Sequence, residues 1–142
     1  MRTMTTDEAR AFMLEGTRTG KLATVRQDGR PHVAPIWFVL DDNGDVIFTT
    51  GADTLKGKAL RRDGRVAIVV DDEQPPFAYV LVEGTATVST DLDDMLAWAT
   101  RIGGRYMGAD NAEAFGRRNA VPEELLVRVT PTKLLARAEI SA

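Results

Sequence analysis

The sequence predicts a mainly β fold of the α+β class: about six antiparallel strands curled into a closed or nearly closed barrel, with helices packed outside. Three observations predict it. Asp28-Gly29 and Asn43-Gly44 each separate β-rich runs, and such dipeptides favour the positive φ angles of tight hairpin turns. Further turn signals recur at short spacing, and the helical stretches interrupt the strands without alternating regularly with them. No GxGxxG motif follows the first strand, which argues against a doubly wound dinucleotide-binding sheet.

Taken in order, Thr5 and Glu8 have capping-box spacing, and Phe12 and Met13 give the next turn an apolar face before Gly16, so a short N-terminal helix is expected. Lys21–Arg26, His32–Leu40 and Val46–Thr50 read as three consecutive antiparallel strands around the two turns. Thr54–Arg62 reads as a short helix capped by Asp53, with Leu55, Ala59 and Leu60 as its apolar stripe. Val66–Val70 is predicted as a strand buried on both faces, from its unbroken apolar composition. The Pro75-Pro76 turn introduces a long strand, Ala78–Ser89, in which Gly84 marks a bulge or bend. From Asp91 the period is helical through Leu92, Met95, Leu96, Ala99 and Ile102, and Gly103-Gly104 is predicted to end that helix. A second helical piece, Asn111–Asn119, leads to Pro122, and Leu125–Ile140 completes the sheet as a strand kinked or bulged near Pro131. Without internal repeats or low-complexity segments, residues 1–142 read as one domain.

Composition narrows the chemistry. The chain has no cysteine, which excludes disulfides, a thiolate nucleophile and Cys-based metal sites and fits a reducing cytoplasm. His32 is the only histidine, so a multi-His metal centre is excluded, and no acidic run has metal-site spacing; no metal is expected. A formal net charge of −3 argues against nucleic acid as a partner. No signal-peptide core and no run approaching the ~20 apolar residues of a membrane span is present, so a soluble cytoplasmic protein with no membrane partner is expected.

The segment Phe48–Lys58 concentrates the candidate chemistry. A strand end carrying Thr49 and Thr50 runs into a helix start with Thr54, Lys56 and Lys58, bringing hydroxyls, free backbone amides and two ammonium groups within a few residues. Its target would be a phosphate or another compact anion; the alternative is a capped helix with solvated lysines. His32 reads either as an acid/base near a cofactor or as a strand-end imidazole satisfied by backbone or solvent. Trp37 reads either as a stacking surface for a ring or as core or interface filler. Arg61, Arg62 and Arg65 either extend the anion site or complement a helix C-terminus.

From about Gly20 to Lys133 the chain resembles the pyridoxamine 5′-phosphate oxidase-like split β-barrel family, whose fold is that of FMN-binding proteins, and in particular its deazaflavin (coenzyme F420)-dependent reductase branch. The resemblance is carried by LATVRQDGRPHVAPIWFVLDDNGDVIFTT, TLKGKALRRDGRVAIVVDD and YVLVEGTATVS in that order. It implies an oxidoreductase: a homodimer with two cofactor sites at the subunit interface, passing hydride from reduced F420 to a conjugated small-molecule electron acceptor. It also implies that Lys56 and Lys58 grip a phosphate-bearing tail, with Thr50 and Thr54 donating hydroxyl contacts. Pro35, Ile36, Trp37 and Phe38 would line the ring-binding wall, and Tyr79 would contact the cofactor. The strand HVAPIWF and the clamp Thr54-Leu55-Lys56 depart from the Arg-x-Val-Leu-x-Lys and Ser-Arg-Lys patterns of the FMN oxidases, and the C-terminus has no counterpart of their substrate-binding Trp and Arg. The alternatives are an FMN-dependent reductase or oxidase of the same fold, or a flavin- or deazaflavin-binding protein without turnover. The sequence singles out no catalytic acid.

Overall fold

The computed structural model describes all 142 residues, Met1–Ala142. A two-residue strand, β1 (Arg2–Thr3), precedes helix α1 (Thr6–Leu14), whose capping box is formed as the spacing predicts: the Glu8 amide donates to Thr5 Oγ1 and the Thr5 amide to Glu8 Oε1, each at 3.1 Å. Strands β2 (Gly20–Val25) and β3 (Pro31–Ile36) form the first hairpin, and β4 (Val39–Leu40) and β5 (Val46–Gly51) the second. Gly29 and Gly44 turn them with φ of 89° and 85°, a region closed to most side chains. Helix α2 (Leu55–Arg62) follows, then β6 (Arg65–Asp72), β7 (Ala78–Ser89), α3 (Leu92–Met107), a 3₁₀ turn at Ala109–Asn111, α4 (Ala112–Asn119) and β8 (Glu124–Ala138).

All neighbouring strands are antiparallel, in the order β3-β2-β6-β7-β8-β5-β4, with β1 against β8. The two ends of this order, β3 and β4, are consecutive in the chain, so the sheet curls round on itself and only the Trp37-Phe38 step separates its ends. This is a split β-barrel. The run expected as one strand, His32–Leu40, is thus two, and with β1 the count is eight. The predicted bulge falls at Glu83/Gly84: Glu83 faces Lys133 and Gly84 faces Pro131, leaving Thr132 as the extra residue on β8.

Inward residues alternate along each strand and meet in a cluster of 21 buried residues that includes Leu22, Phe38, Phe48, Ile68, Val80 and Val127. Each fully buried side chain of this size contributes about 1.5–3 kcal/mol through removal from water. A second, smaller cluster joins Met95 and Ile102 of α3 to the outward residues Val39, Ile47 and Leu126, so α3 covers the outside of β4, β5 and β8. No helix covers β6 in the same way. Val66, Ile68 and Val70 are buried, but Ala67 and Val69 are half-exposed, which corrects the expectation of burial on both faces.

Gly103-Gly104 does not end α3, which continues to Met107. The glycines serve packing instead. A Cβ on Gly103 would lie 2.7 Å from the Cβ of Phe115, and one on Gly116 would collide with Thr100 Oγ1, so α3 and α4 touch backbone to side chain at both points. Helix geometry tolerates a glycine at about 1 kcal/mol, and close packing offsets that cost.

Candidate functional site

The candidate site is the gap where the barrel fails to close. Val39 pairs with Ile47 and Leu40 with Val46. The same register carried backwards would set Trp37 opposite Thr49 and Pro35 opposite Gly51, yet β3 pairs only with β2, and Phe48–Gly51 only with β8. The strands part into a cavity of about 330 Å³, walled by Pro35, Ile36 and Trp37 on one side and Thr49, Thr50 and Gly51 on the other. Backbone groups along two diverging edges have no partner across such a gap and are available to a ligand.

The end of α3 holds the gap open. At Phe38, where ladder bonds would otherwise continue, the amide donates to the Tyr106 hydroxyl at 3.2 Å and the carbonyl accepts from Arg105 Nη1 at 2.7 Å. The Tyr106 hydroxyl in turn donates to the Arg18 carbonyl at 2.7 Å, and Arg105 also donates to the carbonyls of Gly16, Met13 and Arg18 at 3.0, 2.8 and 3.3 Å. Burial pulls the Arg105 guanidinium below its ordinary value and pushes the Tyr106 phenol up. Trp37 stacks on Tyr106, ring centroids 5.0 Å apart and planes within 5°, with Phe115 tilted against it at 5.7 Å; the indole residue stays 41% exposed beside the cavity. This is a fixed aromatic platform.

The opposite wall runs from β5 into α2. Thr54 is the N-cap: its Oγ1 accepts from the Gly57 amide at 3.0 Å, donates to the Gly51 carbonyl at 2.8 Å, and lies 3.4 Å from Thr50 Oγ1. The cap is therefore Thr54 and not Asp53, because only Thr54 is one residue before the first helical turn with its hydroxyl over the third amide. Gly57 permits the tight entry, since a Cβ there would strike the Gly51 carbonyl oxygen. The cap leaves the Leu55 and Lys56 amides without intrahelical acceptors at the positive end of the helix, and Lys56 borders the same cavity.

Seven of the ten candidate cofactor-binding residues thus surround one cavity: Pro35, Ile36, Trp37, Thr49, Thr50, Thr54 and Lys56. Phe38 does not; its ring is fully buried in the barrel core, because the side chain after Trp37 points to the opposite face. Lys58 is exposed outside the cavity. Tyr79 lies on β7 opposite Arg137, far along β8 from the Thr50–Leu125 pair. His32 is half-buried on β3, away from the cavity, and its Nδ1 has no hydrogen-bonding partner, so the backbone does not satisfy it. Arg65 is held by Asp63 at 2.6 Å, which lowers the Asp63 carboxyl to about 2, and Arg62 donates to the Val25 carbonyl at 2.8 Å. Neither arginine extends the cavity.

The sequence reading missed Ile102, Phe115, Asn119 and Glu124, which complete the lining. Glu124 opens β8 opposite Gly51, and burial pushes its carboxyl above the ordinary range against the pull of Lys56 and Arg118. Its only local signal was an acidic residue two positions after Pro122, at a strand start.

The family model for pyridoxamine 5′-phosphate oxidase matches residues 5–137. The chain belongs to this family. Within it, an F420H2-dependent biliverdin reductase of Mycobacterium tuberculosis is 30% identical over 106 residues, 73% of this chain and 74% of that protein. A 5a,11a-dehydrotetracycline/5a,11a-dehydrooxytetracycline reductase of Streptomyces rimosus is 36% identical over 74 residues, 47% of this chain; the match spans about half (52%) of that relative's length. Among solved structures, the conserved hypothetical protein Rv2991 of M. tuberculosis superposes with a TM-score of 0.85 at 25% identity, covering 97% of this chain and 87% of that one. A protein described as an F420 reductase superposes with a TM-score of 0.70 at 28% identity, covering 87% and 94%. Both named relatives are described as reductases.

Proposed function

We propose that this protein is a coenzyme F420-dependent reductase that binds the deazaflavin in the cleft between β3 and β5 and reduces a flat, conjugated small molecule. The observation that carries the reading is the pairing, within one cavity, of an exposed indole braced by Tyr106 with the Lys56 ammonium and the free amides of the α2 N-terminus. A planar ring with an anionic tail matches these two halves. Thr50 and Thr54 supply hydroxyls between them, so the residues fit the cofactor's donor and acceptor pattern.

When bound, the reduced cofactor supplies the hydride. The chain's own residues orient: Trp37 fixes the ring plane, Lys56 and the Leu55 and Lys56 amides hold the phosphate-bearing tail, and the Ile102–Phe115 wall keeps water from one side of the cavity. Such positioning at near-attack distance can supply several kcal/mol of barrier lowering. Similarity to a biliverdin reductase and to a dehydrotetracycline reductase supports an extended conjugated acceptor.

We further propose a homodimer in the cytoplasm. The uncovered outer face of β3, β2, β6 and β7 presents Val33 (66% exposed), Ala23, Ala67, Val69 and Leu81 in adjacent registers, an apolar surface a second copy would bury. Tyr79 lies on that face, so it would reach the cofactor of the second copy and not its own.

The test is a parallel titration with F420 and FMN. The two tryptophans are separable: Trp98 lies under Arg101 and Arg128, outside the cleft, so a Trp98→Phe variant leaves Trp37 as sole reporter. Selective quenching by F420 at micromolar concentration is expected, followed by oxidation of the reduced cofactor with an acceptor panel. Preferential FMN binding refutes the deazaflavin assignment, and tight binding of reduced F420 with no acceptor turned over refutes the reductase.

A further inference from the structure

Lys56 and Glu124 are the only two ionisable side chains bordering the cleft, and they reach it from different elements, the first turn of α2 and the first residue of β8. They form no ion pair with each other or with any other group. A cavity built for an anion therefore carries a net positive charge only while Glu124 holds a proton; once the carboxyl ionises, the two charges cancel. The groups facing Glu124 are few. Lys56 approaches from α2 and Arg118 from α4, β5 offers only Thr49, Thr50 and the backbone of Gly51, and Glu123 precedes it on the chain.

We propose that Glu124 is the proton-holding gate of this cleft: its neutral carboxylic acid admits an anionic cofactor tail beside Lys56, and its carboxylate rejects it. The inference rests on the cofactor reading above and adds a binding determinant to it. Burial pushes the carboxyl above its ordinary range, so this transition lies at higher pH than that of a solvated glutamate. Linkage then requires that binding an anion raise the affinity of Glu124 for its proton, so each binding event takes up part of a proton from solvent. Protonated, the carboxyl also becomes a donor toward a phosphate or hydroxyl oxygen, which an ionised one cannot be.

F420 titrations read through Trp37 in the Trp98→Phe background, repeated from about pH 5 to about pH 8, test the proposal. For the wild-type side chain the dissociation constant is expected to rise about tenfold or more across that range, the effect of one charge shifted by a pH unit. Glu124→Gln, which is neutral and of the same shape, is expected to keep the acid-limit affinity throughout, and Glu124→Asp to retain a pH-dependent loss. The ligand's own titration is common to all three and cancels in their ratios. Parallel pH profiles for the wild type and Glu124→Gln would overturn the gate while leaving the cofactor reading intact. No F420 binding by the wild type at any pH would overturn both, and the two failures are distinguished by the wild-type titration alone. An independent readout is the Glu124 carboxyl ¹³C shift, which must titrate at higher pH with F420 bound than without it.

Discussion

Tyr106→Phe isolates the hydroxyl that keeps the barrel split, because it removes one oxygen and retains the ring stacked 5.0 Å from Trp37. Two partly buried backbone groups are affected: the Phe38 amide, 3.2 Å from that oxygen, loses its acceptor, and the Arg18 carbonyl, 2.7 Å from it, keeps only the longer bond from Arg105 Nη2 at 3.3 Å. Each such bond contributes about 0.5–1.5 kcal/mol net, and an orphaned buried group costs up to about 3 kcal/mol. Tyr106 is half-buried, so water reaches part of the vacated site and the sum is about 2 kcal/mol. For a chain of this size that lowers Tm by about 4–8 °C, measurable by calorimetry. Since Phe38 is the residue at which β3 and β5 part, the platform should loosen too, and the Trp37 emission of the Trp98→Phe background should shift. Tyr106→Leu loses the stack in addition, a further cost of about 0.5–1.5 kcal/mol. A Tm for Tyr106→Phe within about 1 °C of wild type, with Tyr106→Leu well below both, would refute the argument: the stack and not the hydroxyl would then hold the gap.

Lys56→Ala is expected to weaken F420 binding by about 1.5–3 kcal/mol, the range for a charge-assisted contact, and unchanged affinity in the fluorescence titration would remove Lys56 from the site. The adjacent glycines of α3 should respond with opposite signs. Gly103→Ala sets a methyl 2.7 Å from the Phe115 Cβ and should destabilise by about 1–3 kcal/mol, whereas Gly104→Ala meets only the Ala112 Cβ at 3.6 Å and should stabilise by about 0.5–1 kcal/mol through helix propensity, both read from denaturant midpoints. The raised carboxyl of Glu124 means that the folded chain binds its proton more tightly than the unfolded chain does. Its contribution is therefore favourable below the ordinary carboxylate value of 4.5 and is lost as pH rises through the raised one, so Glu124→Gln should gain Tm relative to wild type at neutral pH and not at pH 4. An equal difference at both pH values would contradict the burial of that carboxyl.

What the sequence makes legible here is what neighbours in the chain decide. Asp28-Gly29, Asn43-Gly44 and the Thr5–Glu8 box each depend on residues within one turn, and all three form as expected. The Thr50–Thr54–Lys56 wall of the cleft was legible for the same reason: it is seven consecutive residues, a strand end and a helix start. The other wall was only half legible. His32–Leu40 reads as one unbroken β run because nothing local interrupts it; the break at Phe38 is made by Arg105 and Tyr106, 67 and 68 residues further on, which take the backbone groups that a continuous strand would have given to β5. Gly103-Gly104 misleads by the converse route. A glycine pair is a valid local stop signal, and only the approach of Phe115 from the next helix reveals that the missing side chains make room for packing. Glu124 lay beyond local reading altogether, since its meaning depends on β8 pairing with β5, which sets it opposite Gly51 and brings it near Lys56 on the same wall of the cleft. A binding site placed in the split of a barrel is by construction a non-local object. Its charge balance is set by which side chains the strand pairing brings to its walls, and here that pairing sets one ammonium beside one half-buried carboxyl.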